Sequence, residues 1–295
     1  MIAVTGITGH SGGFFLRQLI DHGYKGRLRC FLRESSDTGA LDASGLDVEK
    51  CVGSLDDLDD LRRFVRGADT VLHIAGIWKT PLLLKAIESE GFVGHVVLVH
   101  TSGIYSKYRM ASEEYREIEW DMQQYLDRGM NVTIVRPTMI FGDLRDHNIS
   151  KFIRMVDRYP LMPEIDRGAG LIQPVNARDL GQIYYQAVMA PRTPRLCYVA
   201  SGQREISMHE LFDMIGECLG KRVRHLSCPM GLGLWGAKAV RALSGGRKDY
   251  VEKVLRMGED RVFSHEDAAR ELGYEPEDFA LGLRREVEEY MANGR

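Results

Sequence analysis

Thr5-Gly6-Ile7-Thr8-Gly9-His10-Ser11-Gly12 follows the apolar run Met1-Ile2-Ala3-Val4 and leads into a helical pattern over Ser11–Asp21. Its glycines fall at i, i+3 and i+6. Glycine lets the backbone turn tightly there and lets a pyrophosphate approach the N-terminus of the helix that follows. A glycine triplet alone is weak evidence, but a strand–turn–helix setting within the first dozen residues supplies the context that the reading needs. The stretch predicts a dinucleotide site, with Gly6, Gly9, His10, Ser11 and Gly12 around the phosphates.

Further along, strand-like runs recur at Leu28–Leu32, Val48–Val52, Thr70–Ile74, Val96–Val99 and Val132–Val135. Helical patterns lie between most of them, at Leu55–Arg66, Pro81–Ser89 and Ser112–Arg128. Near-continuous apolar strands alternating with helices imply an α/β fold, a Rossmann-type doubly wound parallel sheet covered on both faces. Ligands of such sheets sit at the carboxyl ends of the strands. After Arg136-Pro137 the alternation loosens. Gly142–Gly170 reads as loop-rich, Gln173–Met189 as a turn and an apolar helix, and Leu196–Ala200 as a short strand. Amphipathic helices follow at His209–Leu219, His265–Leu272 and Leu281–Met291. The expected organisation is a Rossmann domain over 1–141, rejoined by 173–190. A smaller, mostly helical substrate cap is expected from 142–172 and 191–295.

Composition narrows the function. The 295 residues carry 39 Lys+Arg against 42 Asp+Glu, net −3, which disfavours a nucleic-acid partner. The N-terminus has no basic leader region, and no apolar run reaches the ~18 residues that span a bilayer. Met230–Leu243 is short and carries Lys238 and Arg241, so it reads as a lid or core helix rather than a membrane contact. The five cysteines are odd in number and form no C-x-x-C pair. These features predict a cytoplasmic protein with no membrane or nucleic-acid partner. The nine histidines show no H-x-x-x-H or H-E-x-x-H grouping, so no metal is expected. Asp56–Asp60 falls in the first turn of a helix, where carboxylates offset the dipole. No G-x-S-x-G elbow accompanies the hydroxyls, against an α/β-hydrolase.

Six ordered motifs resemble one family. TGITGHSG is similar to the TGxxGxxG signature of the short-chain dehydrogenase/reductases, in the extended branch of NAD-dependent epimerases and dehydratases. Gly53-Ser54-Leu55-Asp56 resembles the turn after the third strand, with Ser54 where Asp is usual. His73-Ile74-Ala75-Gly76 resembles H-x-A-[AG]. Arg136-Pro137-Thr138-Met139-Ile140-Phe141-Gly142 is similar to the stretch that contacts nicotinamide. Gln173–Leu180 and Phe263–Pro276 match the family's later elements. The resemblance implies that Ser54, Leu55, Ile74, Ala75, Gly76, Pro137 and Thr138 contact the cofactor. It also implies an enzyme acting on a nucleotide-sugar or similar carbonyl or alcohol, and a homodimer formed through covered helices.

Cofactor choice turns on the end of the second strand. NAD-specific relatives carry Asp there to hold the ribose hydroxyls. Here Leu28–Leu32 is followed by Arg33, whose guanidinium can pair with a 2′-phosphate. The residue favours NADP over NAD, although Glu34 beside it leaves NAD open.

The catalytic pattern breaks. In the family, a Ser/Thr follows the fifth strand and a Tyr-x-x-x-Lys lies on the next helix. Thr101 matches the hydroxyl position, with Ser102 and Tyr105 as neighbours. Tyr115 has the right spacing, but Glu119 stands where Lys should be. A carboxylate one turn away would oppose tyrosinate, where a Lys would favour it. Tyr115, Ile118, Met122 and Tyr125 also form a core-facing stripe, so a structural Tyr115 fits as well as a catalytic one. Lys107 is the nearest candidate for a replacement charge. Thr101, Ser102, Tyr105 and Tyr115 are the catalytic candidates. The alternative is a catalytically silent NAD(P)-binding sensor or scaffold. Arg145, Asp146, His147 and Asn148 suit a wall of the substrate site and a polar surface loop equally well.

Overall fold

The computed structural model describes residues 1–159, 161–190, 192–245, 247 and 250–293, the Ala111 side chain excepted. Its centre is a seven-stranded parallel sheet. Six strands come from the N-terminal half: β1 (Ile2–Thr5), β2 (Leu28–Leu32), β3 (Val48–Val52), β4 (Thr70–His73), β5 (His95–Val99) and β6 (Asn131–Pro137). The order across the sheet is β3-β2-β1-β4-β5-β6, and Cys197–Ala200 adds the last strand beside β6. Every residue of β1 and β5 is buried, as expected for strands covered on both faces. The order reverses between β1 and β4, and a ligand crevice opens at such a switch point.

Two apolar layers sandwich the sheet. On one face, Phe15, Leu16 and Leu19 of helix α1 (His10–Asp21) pack with Leu180, Ile183 and Tyr184 of the helix Ala177–Met189. On the other, Leu61 and Phe64 of Leu58–Val65 pack with Leu83, Leu84 and Ile87 of Thr80–Ser89 and with Met122 of Arg109–Asp127. A third core, built around Phe141, Ile153, Leu211, Phe212 and Leu283, holds the helical C-terminal part together.

Five elements differ from the sequence reading. The stretch 142–170 is not mostly loop, since it holds the helix Ile149–Arg158 and the strand Leu161–Ile165. The helix buries Ile149, Ile153 and Val156 at helical spacing, a stripe masked in sequence by interleaved Lys151, Arg154 and Asp157. The strand pairs in parallel with Arg224–Cys228, a polar segment with no strand signal of its own. Cys197–Ala200 lies within the stretch assigned to the cap, yet it extends the main sheet and buries Tyr198 in the central core. Finally, Met230–Leu243 is helical but not a core helix, with Ala237 its one buried residue.

Close approach of α1 to Ala177–Met189 depends on Gly181. A Cβ there would lie 2.6 Å from the Phe14 carbonyl carbon, whereas a Cβ on Gly13 of α1 would meet nothing within 4 Å. Gly181→Ala should therefore destabilise the fold by about 1–3 kcal/mol through overpacking. Gly13→Ala should stabilise it by about 0.5–1 kcal/mol through helix propensity. Denaturant unfolding of the two variants checks the contrast.

Candidate functional site

Gly6 closes β1 with φ +76°, and a Cβ there would press on the Ala75 backbone nitrogen at 3.0 Å. A Cβ on Gly12 would overlap the Gly6 carbonyl oxygen. Gly9 caps α1 in extended conformation with no side-chain hydrogen bond, so the first-turn N–H groups face open space. That space is a cavity of about 1170 Å³ at the carboxyl ends of the strands. Gly6, Gly9, His10, Ser11, Arg33, Ser54, Leu55, Ile74 and Ala75 line it. Among the other sequence candidates, Gly12 supports the loop from behind. Gly76 and Pro137 lie outside the walls, and Thr138 lines the neighbouring cavity.

The floor beyond the glycines is organised by carboxylates. Asp57 accepts the Asp59 and Asp60 N–H groups as a helix cap, and Asp60 accepts the Ser54 N–H at 2.8 Å. The expected capping role of this acidic run is thus present. Lys79 pairs with Asp56 at the rim. The Arg33 guanidinium has no ion-pair partner or side-chain acceptor among the described residues, while its backbone N–H donates to Ser36 Oγ at 3.0 Å.

Arg145, Asp146, His147 and Asn148 all line this first cavity, opposite the glycine loop, and Asn148 also borders the second. Asp143 holds Arg145 at 2.7 Å and lies 3.2 Å from His10 Nε2, close enough for an ionic contact but outside hydrogen-bond geometry. Burial lowers the His10 pKa, and Asp143 pulls against it. Asn148 donates to the Ile140 carbonyl at 2.9 Å. From below, the fully buried Glu286 accepts the Gly142 N–H at 2.9 Å. Burial, and then the hydrogen bond and charge of Asp146, push its carboxyl far above the usual carboxylate range.

A second cavity of about 350 Å³ adjoins the first, and the two share Ile140 and Asn148. Thr101, Ser102 and Tyr105 line it with Thr138, Met139 and Phe263. Thr101 Oγ1 accepts the Gly103 N–H at 3.0 Å. The Tyr105 hydroxyl accepts from the Arg136 guanidinium, which also lies over the Tyr105 ring at 5.1 Å. Thr101 Oγ1 thus accepts within the protein, and the Tyr105 hydroxyl is held between the Arg136 guanidinium and the Cys197 thiol. Burial outweighs Arg136 and raises the Tyr105 pKa, so the phenol keeps its proton at neutral pH.

Tyr115 lines neither cavity. Its ring packs 5.8 Å from Trp78 and against Gly103, and no hydrogen bond of its hydroxyl is present among the described residues. Glu119, one turn further along the helix, has partners of its own. Its carboxylate pairs with Arg136 and accepts from His100 Nδ1 at 2.9 Å. Burial pushes Glu119 up, but the His100 hydrogen bond and the Arg136 charge outweigh it and hold the carboxyl below its ordinary pKa. The cation of this site therefore comes from β6, and Glu119 is its counter-ion. Lys107 takes no part, since its backbone N–H binds Glu259 at 3.0 Å and its ammonium lies over Tyr108.

Sequence spacing missed two further groupings. Arg256 and Arg261 both line the second cavity, and each has a buried Nε without a hydrogen-bond partner. Burial and the neighbouring Arg256 charge both lower the Arg261 pKa. Away from both cavities, Glu164, His209 and His225 bring three donor atoms within 4.8 Å of one another, so they could hold a metal ion. The two imidazoles stack with centroids 3.9 Å apart, between Glu164 on one edge and Asp213 on the other. The three residues are scattered over 61 positions, which hid the group from any motif.

A glycine cradle at a switch point, joined to a hydroxyl-lined cavity after β5, defines an extended short-chain dehydrogenase/reductase fold. The chain belongs to the NmrA-like family, whose profile matches residues 1–232. Sterol demethylase protein B of Methylococcus capsulatus is 42% identical over 174 aligned residues, 47% of this chain and 51% of that protein. The chain thus spans about half the length of that relative. The crystal structure of gox2253 superposes with a TM-score of 0.82 at 18% identity, covering 100% of this chain and 99% of that one. DesIV, a dTDP-glucose 4,6-dehydratase from Streptomyces venezuelae with NAD bound, gives a TM-score of 0.71 at 21% identity, covering 99% and 97%. At these identities the likeness is one of fold.

Restoring the family residue at position 119 should damage this site. Glu119→Lys would set an ammonium beside Arg136 and leave a buried guanidinium unpaired, a loss of about 3–5 kcal/mol. Thermal unfolding should show a much lower Tm for Glu119→Lys than for Glu119→Gln. A Glu119→Lys protein as stable as wild type would contradict the counter-ion role.

Proposed function

We propose that this chain is an NAD(P)-dependent oxidoreductase of the epimerase/dehydratase type, acting on an alcohol or carbonyl of a nucleotide-sugar or similar anionic substrate. One observation carries the reading: the glycine-cradle cavity and the hydroxyl-lined cavity meet at Ile140 and Asn148. Residues 1–141 with 173–190 would form most of the dinucleotide half, and the remainder would shape the substrate half.

The dinucleotide fits the residues present. The cradle is one that side chains would fill, and the uncapped first turn of α1 suits a pyrophosphate. Gly6, Gly9, His10 and Ser11 would hold the phosphates, and Ser54, Leu55, Ile74 and Ala75 the adenosine side and the middle of the molecule. Gly12 would keep the loop in place. Arg33, whose guanidinium has no partner among the described residues, would take a 2′-phosphate, which favours NADP. When bound, the nicotinamide supplies the hydride chemistry. Thr101 and Tyr105, which line the second cavity, would place and polarise the reacting oxygen, and Ser102 would assist in placing it. Arg136 and Glu119 would hold Tyr105 in position. Arg261, whose buried Nε has no hydrogen-bond partner among the described residues, and Arg256, which lies 3.9 Å from the Glu259 carboxylate, would meet the anionic part of the substrate.

A second reading has its own support. Tyr115 lines neither cavity and Glu119 replaces the family Lys, which also fits a protein that binds NAD(P) without turning it over.

Hydride turnover with a panel of nucleotide-sugars, followed by NAD(P)H absorbance, separates the two. Oxidoreduction predicts that Tyr105→Phe lowers kcat by about 10²-fold and that Tyr115→Phe changes it by less than about tenfold. Arg33→Ala should weaken NADP by about ten- to a hundredfold and leave NAD nearly unchanged. Tight dinucleotide binding with no turnover across the panel would move the assignment to the silent binding protein.

A further inference from the structure

The helix Met230–Leu243 has its polarity inverted. Its packed side is made of small residues: Ala237 is buried, and a Cβ on Gly233 would press on Ile165 and Val254. At 100° per residue, the opposite side carries Leu232, Trp235 and Leu243, which are 63%, 72% and 90% exposed. Lys238 and Arg241, both exposed, lie to one side of that strip. The flanking sequence is as lopsided in charge. Residues 221–257 hold nine Lys and Arg against Asp249 and Glu252, a local +7 in a chain whose total is −3.

We propose that this helix is an interfacial anchor that docks on an anionic phospholipid bilayer. No described helix is long and apolar enough to cross a membrane, and this one does not need to. An apolar strip bearing a Trp, with Lys and Arg to one side, can lie in the headgroup plane with its cations on lipid phosphates. A protein partner is a poorer fit. Three side chains on one projecting helix fall well short of the ~800 Å² per partner that stable interfaces bury. A bilayer requires no matched surface. The position of the helix gives the anchor a use: Met230 packs against Gly258, next to Glu259 and Asp260 in the wall of the second cavity. Docking would bring that cavity close to the membrane surface.

The test is flotation of the purified full chain with phosphatidylcholine vesicles, with and without phosphatidylglycerol. The protein should float with the anionic vesicles only and be released by high salt. Trp235→Ser/Leu243→Ser should weaken binding by about tenfold or more at unchanged Tm, because both side chains are already exposed. Lys238→Glu/Arg241→Glu, which leaves the apolar strip intact, should weaken it as well. Wild-type protein that stays unbound with anionic vesicles would overturn the proposal. So would binding that neither double variant affects. A change from dimer to monomer in the Trp235/Leu243 variant, with vesicle binding intact, would assign the face to a second copy. Duplex DNA binding that is lost in the Lys238/Arg241 variant, with vesicle binding intact, would assign it to nucleic acid. Either result would overturn the lipid anchor.

Discussion

The site rests on one steric constraint, the contact of the Gly12 backbone with the Gly6 carbonyl. A side chain at position 12 would drive α1 away from the end of β1. Because neither residue has one, the chain turns from strand to helix within four residues and leaves the uncapped N-terminus of α1 facing the crevice. The reversal of strand order between β1 and β4 opens that crevice, and the loop at Gly142–Asn148 closes its far side. Glu286, fully buried, anchors that loop from below through the Gly142 N–H.

A second constraint is electrostatic. Arg136 is nearly buried, and a guanidinium in such a place needs a counter-ion. Glu119 supplies it from the helix position that the wider family gives to a Lys. His100 then completes the carboxylate, and Arg136 turns its other nitrogen to Tyr105. The replacement therefore does more than delete a dyad. It gives the buried Arg136 of β6 its counter-ion, and Arg136 in turn holds the Tyr105 hydroxyl.

The sequence was legible where one residue type has one use. Strands buried on both faces are apolar nearly throughout, as in β1 and β5, and the first six strands were readable to within about two residues. The glycine loop was readable because only glycine fits its contacts. Ile149–Arg158 was not, since Lys151, Arg154, Asp157 and Arg158 interrupt the stripe of Ile149, Ile153 and Val156. Arg224–Cys228 was not, because its partner strand Leu161–Ile165 lies far away in the chain and it has little apolar content. In the site, the break at Glu119 could be seen but not its meaning. Arg136 lies 17 residues away, and the fold alone sets the two side by side. Arg145–Asn148 had the composition of a surface loop, and the geometry makes it a cavity wall.

The central claim is that the glycine cradle holds a dinucleotide. Calorimetric titration of NADP and NAD into wild type and Gly9→Val tests it most directly, with circular dichroism to confirm that the variant is folded. Wild type should bind, and the branched side chain, standing where the pyrophosphate would lie, should abolish binding in a folded protein. Affinity retained in a folded Gly9→Val protein would contradict the account.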